Sequence, residues 1–487
     1  MKKINALVWL ASIVLTLQLQ AQEQLGIQTS NFAGINGTIL NPAAHSTTPF
    51  RWDINLVGGG LFIDNNYAFL RNTSIPYLLR NQDDINFVHG PDIDDERQML
   101  DNEIVLDYFT DGRERFIQFN SQLMGPSFYV KIGENHAVGA YTRGRAEMSG
   151  KGIANGFSYY DYFDRPFYEN FPVDDFQGTF MAWREIGINY MFQTPTNNGK
   201  IALGVTAKIV SPYEAAFFKS NNFAQVSKLP GDSLAASQVN LEYGFTTSNL
   251  DLDNIEPGSN GNGIAFDLGV VYTIGDEDSY DWKLGASILD IGKANFTSNA
   301  QYHTAVLDTT TIIGSDSYNS VDELMDLEEL VQTFSQEILG DSSASLQSRA
   351  FGIGLPTAFS LQIDRAFTEN IFLNATLVQS IPVSDIAIRR ANTLALTPRF
   401  ENRWFGASLP VVLHNWQDLR MGLSVKLGFL YLGTDNLGSL VGQSNLTGTD
   451  FYAALKINPF NLGLSKGGGG LKNKNRGRRG NVKCYDF

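Results

Sequence analysis

The chain has almost no cysteine. Cys484 is the single one among 487 residues, so no internal disulfide framework exists and stability has to come from sheet pairing and burial. Long apolar runs are equally scarce. A spanning helix needs roughly 20 consecutive apolar residues, and no stretch after Ala21 approaches that, which excludes a helical membrane architecture. Catalytic signatures are missing too. No H-E-x-x-H, G-x-S-x-G or G-x-x-x-x-G-K-[ST] pattern occurs, and His45, His89, His136, His303 and His414 are dispersed. The reading is of a protein without enzymatic activity and without a cofactor. Excess positive charge is absent as well: the net charge of −15 repels nucleic acid.

What is present begins with a leader. Lys2 and Lys3 precede an apolar stretch from Ile4 to Leu19, and Ala21 offers a small residue at a cleavage point before polar Gln22-Glu23-Gln24. This pattern predicts a secretory signal peptide over residues 1–21. No cysteine lies near the cleavage point, so a lipid anchor is not indicated. The exported chain is rich in Phe (33), Tyr (19) and Gly (46). That composition with modest hydropathy suits a β-barrel, whose residues alternate between lipid and lumen.

Several segments alternate with period two, which places one set of side chains on each face of a strand. Ile201, Leu203, Val205, Ala207 and Ile209 share one parity. So do Ile264, Phe266, Leu268, Val270, Tyr272 and Ile274, and so do Met421, Leu423, Val425, Leu427, Phe429 and Tyr431. The opposite, lumen-facing parity carries Lys208, Asp267, Lys283, Gln362, Asp364 and Lys426. Charges of both signs there predict an internally cross-linked interior rather than a selective pore.

Short turns at 133–136, 195–199, 275–279, 368–370 and 415–418 alternate with long polar stretches at 72–113, 150–177, 220–262, 297–349, 383–396 and 434–449. Outer-membrane barrels have short periplasmic turns and long outer loops. The expected fold is therefore all-β: a closed antiparallel transmembrane β-barrel over residues 51–466, with both termini periplasmic. Twelve strands are clear and fourteen are favoured. The weaker segments 239–247 and 301–311 either supply the additional pair or extend their hairpins outward.

Material outside the strands has its own readings. Residues 22–50 are expected to fold inward as a periplasmic-side plug, the alternative being a disordered extension. Val321 to Ile338 has helical spacing of apolar residues and is expected as an outer-loop helix, packed on the rim, the alternative being a lid or partner-docking helix. Asp92, Asp94, Asp95 and Glu96 cluster in an outer loop; they are weak candidates for a metal site, and a solvated acidic loop is the preferred reading. Residues 467–487 form a flexible basic tail in which Arg476, Arg478, Arg479 and Cys484 are candidates for partner contact.

Asn41-Pro42-Ala43 resembles the motif at the start of long-chain fatty-acid transporter-like barrels, shared by type IX secretion shuttle barrels. Asp267-Leu268-Gly269 with Asp290-Ile291-Gly292 looks like their paired hairpin, and Leu355-Pro356-Thr357 resembles the Leu-Pro that opens a later strand. Thr397 to Glu401, Leu432 to Gly438 and the basic end at Lys483-Cys484-Tyr485 resemble more closely an outer-membrane barrel family of the Bacteroidetes that carries a domain of unknown function. The resemblance implies a 14-strand barrel with an N-terminal plug whose entry motif is Asn41, Pro42 and Ala43. Two functions follow as expectations. One is a passive transporter of small hydrophobic or amphipathic compounds, which requires an apolar lumen pocket near the outer end. The other is a non-catalytic component of an outer-membrane secretion, motility or envelope-assembly machine. It would dock protein partners in the periplasm or at the cell surface through the outer loops and the tail. Both make membrane lipid the constant partner.

Overall fold

The computed structural model describes residues 23–459 apart from 72, 83, 90–99, 101, 110, 158–169, 222–223, 230–232, 249–257, 276–278, 315–326 and 443–444. The expected leader 1–21, the acidic set Asp92, Asp94, Asp95 and Glu96, and the expected tail with Arg476, Arg478, Arg479 and Cys484 lie outside the described residues.

Fourteen antiparallel strands follow one another as a meander and close on themselves. They are β1 (Trp52–Asn65), β2 (Arg115–Met124, continuing as Ser127–Ile132), β3 (His136–Ile153), β4 (Gln177–Thr196) and β5 (Gly199–Ser220). Then come β6 (Gly261–Ile274), β7 (Trp282–Phe296), β8 (Phe351–Gly354, continuing as Ala358–Ala366), β9 (Ile371–Ser380) and β10 (Thr393–Glu401). The last are β11 (Phe405–Ser408 and Val411–His414), β12 (Asp418–Met421 and Leu423–Leu427), β13 (Leu430–Thr434) and β14 (Gly448–Ile457). Closure is made by β1 against β14, in register from Ile54↔Ile457 to Asp64↔Gly448. A closed sheet leaves no unpaired edge for lipid to desolvate.

The additional strands do not come from the segments that the sequence offered for them. Val239–Thr246 pairs with the far end of β5 and with Ala300–Leu307, so both lengthen the wall beyond the barrel. The extra pair arises by division of two apparent long strands. One divides at 402–404, where the Asn402 side chain accepts the N–H groups of Trp404 and Phe405 at 2.9 and 2.8 Å. The other divides at Gly428, whose φ of 61° is costly for any residue with a Cβ. This second turn shifts the phase: Leu427 faces outward, while Tyr431, expected on the same parity, is buried in the lumen. The first turn, at 402–404, moves the turn 415–417 to the end of the barrel that carries the long connections, level with the start of β10. The strict alternation of short and long connections therefore fails between β11 and β12.

The outward parity bears the exposed apolar band, including Ile188, Leu203, Ile209, Ile264, Leu268 and Leu396. The inward parity carries the charged and polar side chains, together with buried aromatics and methionines such as Tyr129, Tyr141, Trp183, Met191 and Tyr452. An apolar exterior around a polar interior is the pattern of barrels that cross a membrane with strands, and no helix among the described residues is long and apolar enough to cross one. Above β4 to β8 the chain builds a lobe. A four-stranded sheet of 170–173, 224–229, 233–237 and 311–314 stands there, and the helix Leu327–Leu339 packs Val331, Phe334 and Ile338 against Tyr243, Phe245 and Ala305. The helix thus covers the lobe at the rim. Of the expected span 321–338, residues 321–326 are outside the described part.

Residues 23–50 run inside the barrel in three short helical turns. Leu25, Ile27, Ile35, Leu40 and Ala43 are all buried against the wall. Phe50 lies at the short-turn end, where the Tyr129 hydroxyl donates to its carbonyl at 2.6 Å. Leu25 lies near the other end, its N–H donating to Asp435 at 3.2 Å. The Tyr452 hydroxyl accepts Gly26 N–H at 3.0 Å and donates to Asp435 at 3.1 Å. Tyr452→Phe leaves a buried N–H without an acceptor and is expected to lower stability by about 1–3 kcal/mol, read as a shift of the urea midpoint in detergent or vesicles.

Candidate functional site

The site is the interface between the plug and the wall. Asn41-Pro42-Ala43 sits on a floor of three glycines from neighbouring strands. A Cβ on Gly204 of β5 would stand 2.3 Å from the Pro42 carbonyl carbon. One on Gly269 of β6 would stand 2.3 Å from Asn41 Oδ1, and one on Gly285 of β7 would stand 3.1 Å from Asn41 Nδ2. The plug backbone approaches the sheet this closely because those positions lack side chains. Asn41 Oδ1 accepts Ala43 N–H at 2.9 Å, shaping the turn. Its Nδ2 donates to Gln362 Oε1 at 3.1 Å and to the Val270 carbonyl at 3.2 Å. From β4, Asn189 Nδ2 donates to the Pro42 carbonyl at 3.1 Å.

Beside this seat lies a buried ion-pair network. Lys208 Nζ is 2.6 Å from both Asp267 Oδ1 and Asp290 Oδ1. Arg145 reaches Asp290 at 3.1 Å and Glu147 at 2.8 Å, and it stacks over Trp183 with its guanidinium carbon 4.6 Å from the ring centre. Arg143 pairs with Glu185. Asp290 is drawn into the network by a bulge. Its φ is 56°, and two residues, Leu289 and Asp290, face inward opposite Asp267, whose carboxylate accepts Asp290 N–H at 2.6 Å. Thr357 Oγ1 donates to the Asp290 carbonyl at 2.7 Å, and Leu355 N–H donates to the Gly292 carbonyl at 3.1 Å. The motifs at 41–43, 267–269, 290–292 and 355–357, far apart in the chain, thus meet around one stretch of wall.

A second set serves the short-turn end. Asn31 N–H donates to Glu401 at 3.0 Å, Arg399 lies 2.8 Å from Asp364, and Lys283 lies 3.6 Å from Asp364. Lys426 stands over the Phe32 ring at 3.4 Å, and Lys456 lies 3.1 Å from Asp53 while donating to the Phe32 and Ala33 carbonyls. The segment expected as an outer loop after β9 instead folds inward. Ile386, Ala387 and Ile388 pack along Gly354, and Arg390 holds Glu23 of the plug through two contacts of 2.7 Å. Burial penalises the Arg390 cation, but Glu23 and Asp290 outweigh that and raise its pKa further.

Of the lumen residues offered by the sequence, the structure joins Lys208 with Asp267, Lys283 with Asp364, and Gln362 with Asn41, while Lys426 meets Phe32. It adds Arg143, Arg145, Glu147, Glu185 and Arg390, which the sequence did not single out, and Asp290 and Arg399, which it offered only as parts of motifs and not as lumen charges. The period-two parity of β3 places Arg143, Arg145 and Glu147 on one face and was legible. The inward turn of Arg390 and the bulge at Asp290 leave no such trace. A cavity of about 30 Å³ near the long-connection end is lined by Glu23, His414, Arg420, Asp435 and Asp450 among others, and a second holds about 10 Å³. Leu25, Phe62 and Val412 also line the first cavity, but at about 30 Å³ it has room for little more than a water and is far smaller than the apolar pocket that transport required of this end.

A serine–histidine contact does occur: Ser345 Oγ is 3.0 Å from His303 Nδ1. Ser345 is fully buried, its N–H donates to Ser335 Oγ of the lobe helix, and its carbonyl accepts Thr304 N–H. The pair ties the helix to the wall and offers no open nucleophile. Among the described residues no group of three or more His, Cys, Asp or Glu is placed to hold a metal ion.

Several solved structures are similar to this chain. The P. putida toluene transporter TodX is 9% identical, with a TM-score of 0.39, over 88% of this chain and 94% of its own. The Ralstonia pickettii toluene transporter TbuX is 9% identical, with a TM-score of 0.39, over 91% and 99%. The translocator domain of the autotransporter NalP from Neisseria meningitidis is 6% identical, with a TM-score of 0.30, over 89% and 98%. No curated protein matches the chain. A family model described as "Family of unknown function (DUF5723)" matches residues 42–435, from the Pro42 seat to the Asp435 contact, and the chain belongs to that family.

Proposed function

We propose that the protein is an outer-membrane barrel that passes small amphipathic compounds when the 23–50 plug withdraws, the described conformation being the shut one. The long connections face the cell surface, and both termini are periplasmic. The leader 1–21 directs export, and the basic tail of 467–487 serves periplasmic contact.

One observation carries this reading. The wall is charged, but the plug is almost uncharged: Glu23 is its single acid, it has no lysine or arginine, and His45 is its only other titratable side chain. The wall charges pair mainly with one another across β3 to β8. A barrel that only had to be filled is satisfied by apolar side chains, since burying ions costs several kcal/mol each. A wall whose ions stay paired after the plug leaves suits a lumen that is wet at some stage. Charges of both signs favour amphipathic over purely hydrophobic cargo.

Deletion of residues 23–50 behind the leader tests the reading. The variant is expected to remain a heat-modifiable barrel and to show conductance steps in planar bilayers, whereas the full chain stays nearly silent. A folded but silent deletion variant removes the hatch. The second reading, a docking component of an envelope machine, is favoured by the lobe with its own sheet and helix. Its measure is recovery of partners from native membranes with the tail present and removed.

A further inference from the structure

His45 follows the Asn41-Pro42-Ala43 seat by two residues and is wholly enclosed, at 0% exposure. Its ring stacks on Tyr129 of β2, with centroids 4.1 Å and planes 19° apart. Neither ring nitrogen is in hydrogen-bond geometry with a neighbour, and the side chain of Asn189 from β4 is the polar group beside it. A buried polar group left in this state is rare and costly. The charged groups that face it are cations. Lys131 of β2 donates to the Thr48 carbonyl at 2.6 Å, within the same plug turn. Lys456 of β14 is bound to the Phe32 and Ala33 carbonyls. The acid in this region, Asp53 of β1, is engaged by Lys456 at 3.1 Å and by Ile35 N–H at 3.2 Å. A proton on His45 therefore adds a charge to a closed site that already holds two cations against the one carboxylate of Asp53, and the acceptor beside it is the neutral side-chain oxygen of Asn189, which offsets only part of that cost.

We propose that His45 is a proton-operated release for the plug: its protonation expels the turn that carries the Asn41-Pro42-Ala43 seat from the glycine floor. The geometry gives the direction. Burial, together with Lys131 and Lys456, holds the imidazole down at about 3, against 6.5 when free. The released turn binds a proton more readily than the seated one, so seating weakens as pH falls below 6.5 and goes on weakening until about 3. The pair Glu23–Arg390 at the far end of the plug is separate from this site, so release begins at residues 41–50.

The inference rests on the hatch reading for its purpose but not for its test. Hydroxyl-radical footprinting of the full chain in lipid vesicles reads the exposure of residues 42–50, and planar-bilayer current reads passage. Exposure is expected to rise about tenfold from about pH 7 to about pH 4, and to stay flat in both His45→Gln and His45→Phe. The phenylalanine variant keeps the ring against Tyr129, and heat-modifiable mobility shows that each variant has folded. Flat exposure in the parent chain, or the same rise in both variants, overturns the switch. Exposure that rises without current leaves the switch in place and overturns the hatch reading instead.

Discussion

Replacing Arg145 by Met is expected to destabilise the barrel by about 3–5 kcal/mol, the usual result of removing one partner from a buried ion network. Arg145 serves three carboxylates: Glu147 at 2.8 Å, Asp290 at 3.1 Å and Glu185 at 3.5 Å. All of these are buried. Met retains the length and the contact with Trp183, so the loss is chiefly one of charge and hydrogen bonds. Lysine restores the charge, but a single ammonium cannot span three acceptors as a planar guanidinium does, and Arg145→Lys should fall between parent and Met. Adding Glu147→Gln to the Met variant removes one of the stranded acids and should recover part of the loss. The urea midpoint of refolding into vesicles measures all four proteins. A Met variant as stable as the parent shows that the network is solvated and not a structural clamp.

The second large effect is expected at the floor of the seat. Gly204→Val places a Cβ 2.3 Å from the Pro42 carbonyl carbon and 2.5 Å from Ala43 N. These are backbone atoms that cannot swing away, and overpacking of this kind costs about 1–3 kcal/mol or more. The strand itself accepts valine, so the strain falls on the plug. Its seating constant should drop by roughly ten- to a hundredfold, seen as conductance at neutral pH and as proteolytic access to residues 41–50. Gly144→Ala is the control, because nothing lies within 4 Å of its Cβ position. A Gly204→Val barrel that stays shut and protected removes the glycine floor as the seat of the plug.

The two predictions differ in how far the sequence announces them. Arg145 stands on a period-two face with Arg143 and Glu147, so its inward direction is readable from β3 alone. Its partner Asp290 is 145 residues away and points inward only because the chain takes a positive φ there, which no apolar count reveals. Gly204 and Gly269 read simply as small residues in strands. Their role appears once they lie side by side in register and a plug segment presses on both. The turns at 402–404 and 428–429 were hidden for another reason. Asn402 and Gly428 each interrupt an otherwise continuous alternation, and a short interruption looks like a strand irregularity until hydrogen bonding shows the reversal.

By itself, the sequence determined that this is a β protein with one polar and one apolar face to each strand, too poor in apolar runs for spanning helices, and with inward charges of both signs. These are local properties, since side-chain parity depends only on neighbours within a strand. The tertiary structure decided which inward charge meets which, where the two divided strands turn, that residues 381–392 fold in, and that the plug rests on glycines. Those facts depend on closure and register between strands that are distant in the chain, and a one-residue change of register reverses every inward side chain of a strand.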